Sequence, residues 1–311
     1  MNFLYGPVPS RRLGRSLGID PLPSKTCNYQ CVYCQLGRTT NFTNKRMNYF
    51  KKEEIYQEME DGIPISEGKF DFITFVGSGE PLLYRDIGDL ILKAKTLSKK
   101  PICLITNGSL LFQEDVQNQL LSSNLDVILP TLDAGVDKTF IKINRPHPSI
   151  KFSKMVDGLI DFRNKFSGKF WLEVMLVKDI NDSKKELEKI KEKIDLINPH
   201  RIDINIPIRP PAEPWVKKPD KSIYYHLNEI FGNYSNINFP EKGQFETFSG
   251  DFKKELLNII ERHPMSQDQI LDTFSSDNFP KTSILKNLNN FEREGIIQKI
   301  KYEDRIFWKL V

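Results

Sequence analysis

The sequence predicts an α/β protein, a partial (β/α)6 TIM-like barrel followed by a small C-terminal winged-helix domain. Two observations predict the barrel. Apolar runs of strand length alternate with segments of helical period about six times between residues 17 and 231, and alternating βα units imply a parallel sheet with helices packed outside it. Six units suit an open barrel better than a closed one of eight strands. The third observation is a change of pattern near residue 250, where alternation gives way to three helical segments and then two strands. The expected domain limits are 1–235 for the core, 236–250 for a linker containing Asn236, Gly243 and Gly250, and 251–311 for the winged-helix-like domain.

The elements follow in order. Leu17–Ile19 reads as the first strand and Lys51–Met59 as its helix. Phe70–Val76, Ile102–Thr106, Val127–Leu132, Phe170–Val177 and Ile202–Ile206 read as strands. The helices after them are Arg85–Ser98, Gln113–Ser122, Phe152–Phe166, Ser183–Leu196 and Ile223–Phe231. In the tail, Phe252–Arg262, Gln267–Phe274 and Thr282–Glu294 have helical spacing, with Ser266 placed as an N-cap and Gly295 as a stop. Ile296–Lys301 and Arg305–Leu310 form a hairpin around Tyr302–Asp304.

With 311 residues, 39% of them hydrophobic, the chain can bury a sizeable core in one large and one small domain. No apolar run reaches the roughly 18 residues that a membrane span requires, and residues 1–18 lack the apolar stretch of a signal peptide. A cytoplasmic protein is therefore expected. The net charge of +4 is modest, but residues 1–50 carry seven basic residues against Asp20 alone. Such a segment meets the phosphate or carboxylate of a ligand, or it is a solvated loop balanced by acids elsewhere. Residues 251–311 hold ten basic and ten acidic residues. That balance is a poor match to a DNA duplex, and it favours docking to the core, to a partner or to a structured RNA.

The chain has four cysteines, and three fall within eight residues: Cys27, Cys31 and Cys34, spaced CxxxCxxC just after the first strand. In a reducing compartment this pattern points to metal or cluster ligation, not to disulfides. Three thiolates so spaced can wrap one corner of a cubane cluster, holding three irons and leaving the fourth open. The same spacing also places three residues on one helix face. Zinc is the other alternative, although Cys103 lies inside a strand and His147, His200, His226 and His263 show no paired spacing.

Further polar motifs fall at strand C-terminal ends, the active face of such folds. Phe75–Pro81 contains Gly77, Ser78, Gly79 and Glu80, where glycines admit a ligand close to the backbone. Asn107 follows the next strand and Asp133 the one after. Arg145 offers a planar fork for a carboxylate or phosphate, or locks its own loop. His147, between prolines, is read as structural. Glu173 and Met175 alternate on one strand face, and an inward Glu needs a polar partner or a ligand; Asn205 is a similar case. The stiff Pro207–Trp215 loop carries Arg209, Glu213 and Trp215 and is read as shaping a pocket, with a strap that fastens the tail domain as the alternative.

The CxxxCxxC motif with an aromatic, Tyr33, just before Cys34 resembles the signature of the radical S-adenosylmethionine (SAM) superfamily. The resemblance implies a [4Fe–4S] cluster on Cys27, Cys31 and Cys34, SAM on the open iron, and reductive cleavage of SAM to methionine and a 5′-deoxyadenosyl radical. It also implies that Gly77, Ser78, Gly79 and Glu80 hold the methionine ammonium and that Tyr33 lies near the adenine. It makes Asn107, otherwise a plain turn residue, Asp133 and Arg145 candidates for further parts of SAM, and it implies a low-potential electron donor of flavodoxin or ferredoxin type. Residues 5–14, the stretch through Cys34–Gly37, Trp171–Val177 and Arg209–Trp215 resemble a wyosine-synthase-like group of iron–sulfur oxidoreductases. Wyosine synthases carry a second cluster, and here only Cys103 lies outside the first motif. The implied activity is single-cluster hydrogen abstraction from RNA, in particular tRNA. The alternatives are a protein, peptide or small-molecule substrate, or a cluster-based regulator whose winged helix binds DNA.

Overall fold

The computed structural model describes residues 2–232, 234–236, 245 and 250–311. The core begins with β1 (Leu4–Ser10), β2 (Gly14–Ile19) and a short pair, β3 (Thr26–Cys27) with β4 (Asn41–Phe42). It continues with α1 (Lys52–Ile65), β5 (Phe72–Phe75), α2 (Ile87–Leu97), β6 (Ile102–Thr106), α3 (Glu114–Ser122), β7 (Val127–Pro130), α4 (Asp137–Asn144) and α5 (Phe152–Lys165). The last core elements are β8 (Lys169–Met175), α6 (Lys184–Ile197), β9 (Arg201–Asn205), α7 (Ile223–Phe231) and β10 (Ser235–Asn236). The tail comprises α8 (Phe252–Arg262), β11 (Met265–Ser266), α9 (Gln267–Phe274), α10 (Lys281–Arg293), β12 (Ile297–Tyr302) and β13 (Arg305–Leu310).

The main sheet runs β1-β2-β5-β6-β7-β8-β9-β10, so it is open at both ends. All its pairings are parallel except β1 with β2. Each strand lies beside its predecessor, which is the order of a barrel left unclosed, and every parallel strand delivers its C-terminal loop to the same end. The central strands are near-continuous apolar runs, as burial on both faces requires: all four residues of β7 are buried.

The expected strands and helices are present with ends shifted by a few residues; the short strands β3, β4, β10 and β11 are additional, and three larger features depart from expectation. The N-terminal segment is a strand rather than a basic loop. Pro7, Pro9 and Gly6 give it the look of a loop, but an edge strand tolerates proline, and the tail covers it: Tyr5 and Val8 join Leu256, Ile259, Met265 and Trp308 in one buried cluster. Helix α4 was not expected, because only Phe140 and Ile143 mark its buried face. Helix α1 runs past Met59 to Ile65, since Gly62 and Ile63 are also buried and Pro64 falls in its last turn.

In the tail, Ser266 caps α9 in a full capping box with Gln269, and Gly295 takes φ +71° where α10 stops. Strand β13 lies between β11 and β12. Strand β10 pairs Ser235 and Asn236 with Asp203 and Ile204, so the sheet includes the first residue of the expected linker. Residues 237–244 and 246–249 lie outside the described residues. Among the described residues no helix is long and apolar enough to cross a membrane.

Candidate functional site

The loop after β2 carries the three clustered cysteines and contains no helix, which removes the helix-face reading of their spacing. Its shape comes from outside. The C-terminal carbonyls of α4, which have no partner within the helix, accept hydrogen bonds from this loop: Gln30 N donates to Asn144 O (3.0 Å) and Val32 N to Ile143 O (2.9 Å). His147 N returns a bond to Asn28 O at 2.8 Å. The thiols of Cys27, Cys31 and Cys34 line one cavity of about 90 Å3 together with Gly77, Ser78 and Gly79.

Each sulfur has its own donors. Tyr29 N lies 3.4 Å and Asn107 Nδ2 3.9 Å from Cys27 Sγ. Asn144 Nδ2 lies 3.5 Å from Cys31 Sγ. The backbone amides of Leu36 and Gly37 face Cys34, as do the charges of Lys25 and Lys309. Burial pushes all three thiols up; the Glu80 carboxylate adds to it at Cys27 and the neighbouring Cys27 at Cys31, while the Leu36 and Gly37 amides and the charges of Lys25 and Lys309 work against it at Cys34, so bare thiols hold their protons here. Among the described residues no three His, Cys, Asp or Glu side chains converge on the position of one ion. Three thiols around one cavity, each with N–H donors, fit a multinuclear cluster whose corners separate its ligands.

The loop after β5 is pressed against the cysteine loop. A Cβ on Gly79 would lie 1.7 Å from the carbonyl oxygen of Thr26, so only glycine permits the approach, and Glu80 N donates to that same oxygen at 3.0 Å. The buried Glu80 carboxylate accepts from Leu82 N (3.0 Å), Thr106 Oγ1 (2.6 Å) and Asn107 N (2.7 Å). Burial nevertheless pushes its carboxyl up to about 7, against the pull of those bonds. Asn107 in turn donates to Asn28 Oδ1 at 2.7 Å. Gly77, Ser78, Gly79, Glu80 and Asn107 therefore all stand beside the cysteines.

Asp133 is enclosed by protein. It accepts from Tyr33 OH (2.5 Å), Asn144 Nδ2 (2.7 Å) and Met175 N (2.8 Å), and burial raises its carboxyl to about 6. It anchors Tyr33 and Asn144 and so acts on the cysteine loop. Arg145 caps α4 in a left-handed conformation (φ 44°) and pairs with Glu213 at 2.6 Å. Glu213 also takes Arg38 at 3.1 Å, and its amide donates to Val32 O. The Pro207–Trp215 loop is thus strapped onto the cysteine loop, and Trp215 stays half-exposed. Arg209, from the same loop, bonds Gln35 Oε1 and His263 Nε2.

Beside the cysteines lies the barrel lumen, a cavity of about 280 Å3 that Cys31, Tyr33, Met175, Arg11, Arg12 and Arg209 help to line. Arg12 pairs with the inward Glu173, and Arg11 donates to Asn205. The expected basic surplus is largely spent on such pairs: Arg15 binds Asp71, Arg38 binds Glu213 and Arg46 binds Asp115. His147 sits at an exposed turn with Ser149. Cys103 is buried in β6 with its thiol pushed up to about 12, away from the other three. Asn28, Asn144 and Asp20 escaped sequence reasoning, since their partners lie far along the chain.

Residues 22–194 match the Radical SAM superfamily. The chain is 38% identical over 289 residues to a GTPase Obg from Brachyspira hyodysenteriae, covering 92% of this chain but only 42% of that protein. It is 34% identical to a UPF0026 protein of Methanocaldococcus jannaschii, covering 99% and 96% of the two chains. Among solved structures, SuiB of Streptococcus suis bound to SAM superposes with a TM-score of 0.52 at 16% identity, covering 73% of this chain and 50% of that one. The chain therefore belongs to the radical SAM superfamily, whose enzymes use a [4Fe–4S] cluster and SAM.

Proposed function

We propose that this radical SAM enzyme carries a single [4Fe–4S] cluster on Cys27, Cys31 and Cys34, binds SAM along Gly77–Glu80 and Asn107, and modifies one nucleotide of an RNA, in particular a tRNA. The observation that carries the cofactor reading is the single cavity shared by the three thiols and the Gly77–Gly79 backbone. A [4Fe–4S] cluster held by Cys27, Cys31 and Cys34 would supply, when reduced, the one electron that cleaves a C–S bond of SAM and starts radical chemistry on the substrate.

The chain's own residues do the rest. Tyr29, Asn107, Asn144, Leu36 and Gly37 direct N–H groups at the three sulfurs and so favour their thiolates. Gly77–Glu80 presents backbone and a carboxylate to the SAM ammonium. Asp133 holds Tyr33 in its position beside the lumen. The apolar lining from Val76, Ile105 and Met175 limits water.

The lumen supports a substrate that enters as one unit. It is too small for a folded polymer, so an RNA must turn a nucleotide out of its stack; Arg11, Arg12 and Arg209, held by Asn205, Glu173 and Gln35, line its wall. We read residues 1–235 as the core, 236–250 as the linker and 251–311 as a winged-helix-like domain, on the strength of three helices followed by a hairpin. The tail's equal counts of ten acids and ten bases favour a second reading, a protein or peptide substrate. An acidic, low-potential donor of flavodoxin or ferredoxin type would approach at Gly37, where Lys309 Nζ and Lys25 Nζ lie 3.7 and 3.9 Å from a Cβ placed on that residue.

The test is anaerobic reconstitution with iron and sulfide, reduction with dithionite, and chromatography for 5′-deoxyadenosine. The product is expected with the unmodified protein and absent from the Cys27/Cys31/Cys34 triple alanine variant. A fully loaded protein that neither binds nor cleaves SAM sinks the cofactor reading. Salt-dependent binding of tRNA, with a modified base after turnover, supports RNA over peptide; turnover of a peptide alone reverses that choice.

A further inference from the structure

We infer that the tail is part of the SAM site, through a buried relay from Arg262 on α8 to Asp20 after β2 to Ser78 in the glycine loop. This rests on the reading of Gly77–Glu80 as the SAM-binding loop. Arg262 is the last residue of α8 and reaches into the core. Its Nε donates to Asp20 Oδ2 at 3.0 Å, and the two side chains are 6% and 0% exposed. The same Oδ2 accepts from Ser78 N and Ser78 Oγ, both at 3.0 Å. Oδ1 accepts from Leu22 N at 3.2 Å, which ties the start of the cysteine loop to the same carboxylate.

The fit around this carboxylate leaves no slack. A Cβ on Gly77 would lie 2.1 Å from Asp20 Oδ1, so glycine is what lets the carboxylate approach. The guanidinium is fixed on its other sides by Asn2 O (2.6 Å), Asn258 Oδ1 (2.7 Å) and Glu261 Oε2 (3.0 Å), and it lies 5.5 Å from the centre of the Tyr5 ring.

A buried carboxylate is tolerated only with a paired cation and hydrogen-bond donors. Without Arg262, Asp20 must protonate, move or admit water, and each response weakens its hold on Ser78. The opposite end of the loop stays clamped by Thr26 on Gly79 and Glu80, so a change at Arg262 reorients the loop without freeing it. Arg262 is in this sense a positioning residue: it touches neither the thiols nor, on this reading, SAM.

The experiment uses the full chain and the substitution Arg262→Met, with two readouts. Amide hydrogen exchange of the peptide containing Ser78 is read on the protein before reconstitution. SAM affinity is read by calorimetry on protein reconstituted to equal iron content. We expect exchange at that peptide to rise about tenfold and SAM affinity to fall about tenfold or more, the scale of losing a hydrogen bond to a charged group. Ser78→Ala, which removes the Oγ bond and keeps the amide bond, should weaken SAM binding in the same direction by less. It also carries the test if Arg262→Met does not fold: unchanged SAM affinity in Ser78→Ala overturns the inference. Unchanged exchange in folded Arg262→Met overturns the relay and leaves the SAM-loop reading standing. Raised exchange with unchanged SAM affinity shows that Gly77–Glu80 is not the SAM loop, and the inference falls with that reading.

Discussion

Replacing Gly79 by alanine tests the closest backbone approach in the site. The added methyl would start 1.7 Å from the Thr26 carbonyl oxygen and 2.6 Å from its carbon. A real carbon–oxygen contact needs about 3 Å, so the two loops must separate by roughly 1.3 Å; both walls are backbone, and no side-chain rotation relieves the clash. Separation stretches the 3.0 Å bond from Glu80 N to Thr26 O, one residue from Cys27. Overpacking of about 1–3 kcal/mol and a lost hydrogen bond of about 1 kcal/mol together predict a loss of about 2–4 kcal/mol. The assay is thermal unfolding of the unreconstituted protein, followed by iron and sulfide counts after anaerobic reconstitution. Melting should fall by about 3–6 °C, and cluster loading should fall with it. Unchanged melting together with full loading would refute the claim that these two loops are packed backbone to backbone.

Three other outcomes follow from the same geometry. Burial raises the Glu80 carboxyl from 4.5 to about 7, so the empty protein favours the protonated form: its contribution to stability is present below pH 4.5 and lost as pH rises through 7, about 3 kcal/mol in all. Urea unfolding between pH 4.5 and 7.5 should therefore slope less steeply in Glu80→Gln, and SAM affinity should rise across the same interval only in the unmodified protein; parallel profiles would show that Glu80 does not titrate there. Asn144→Leu removes the N–H donor to Cys31 and the bond to Asp133, so a redox titration followed by electron paramagnetic resonance should find a more negative cluster potential. An unmoved potential would mean that the amide does not reach the sulfur. Ser266→Ala breaks the α9 capping box and should destabilise the tail by about 1 kcal/mol in chemical denaturation, while the iron content stays at the unmodified level.

What could be read in advance was whatever depends on local spacing. The strand and helix alternation came out residue by residue for Ile102–Thr106, Ile223–Phe231, Phe252–Arg262 and Gln267–Phe274, because burial on one face imprints its period on the sequence. The order of strand ends likewise puts Gly77–Glu80 and Asn107 on the same face as the cysteines. Helix α4 was invisible because its value lies in two terminal carbonyls, and carbonyls leave no mark on composition. Strand β1 was hidden by its prolines and is buried only because the tail lies on it.

The cysteine triplet, its place after the strand containing Leu17–Ile19 and the glycine loop after Phe72–Phe75 were determined by sequence alone, since each is a short-range pattern with one dominant chemical use. The fates of the charged side chains were decided only by the tertiary structure. Arg145 could have met a ligand carboxylate, yet it meets Glu213, 68 positions later; Arg12 meets Glu173; Arg262 crosses 242 positions to Asp20. Sequence shows that a charge exists, but a charge takes whichever partner folding brings within hydrogen-bond distance as water is excluded, and that choice belongs to the packing of the whole chain.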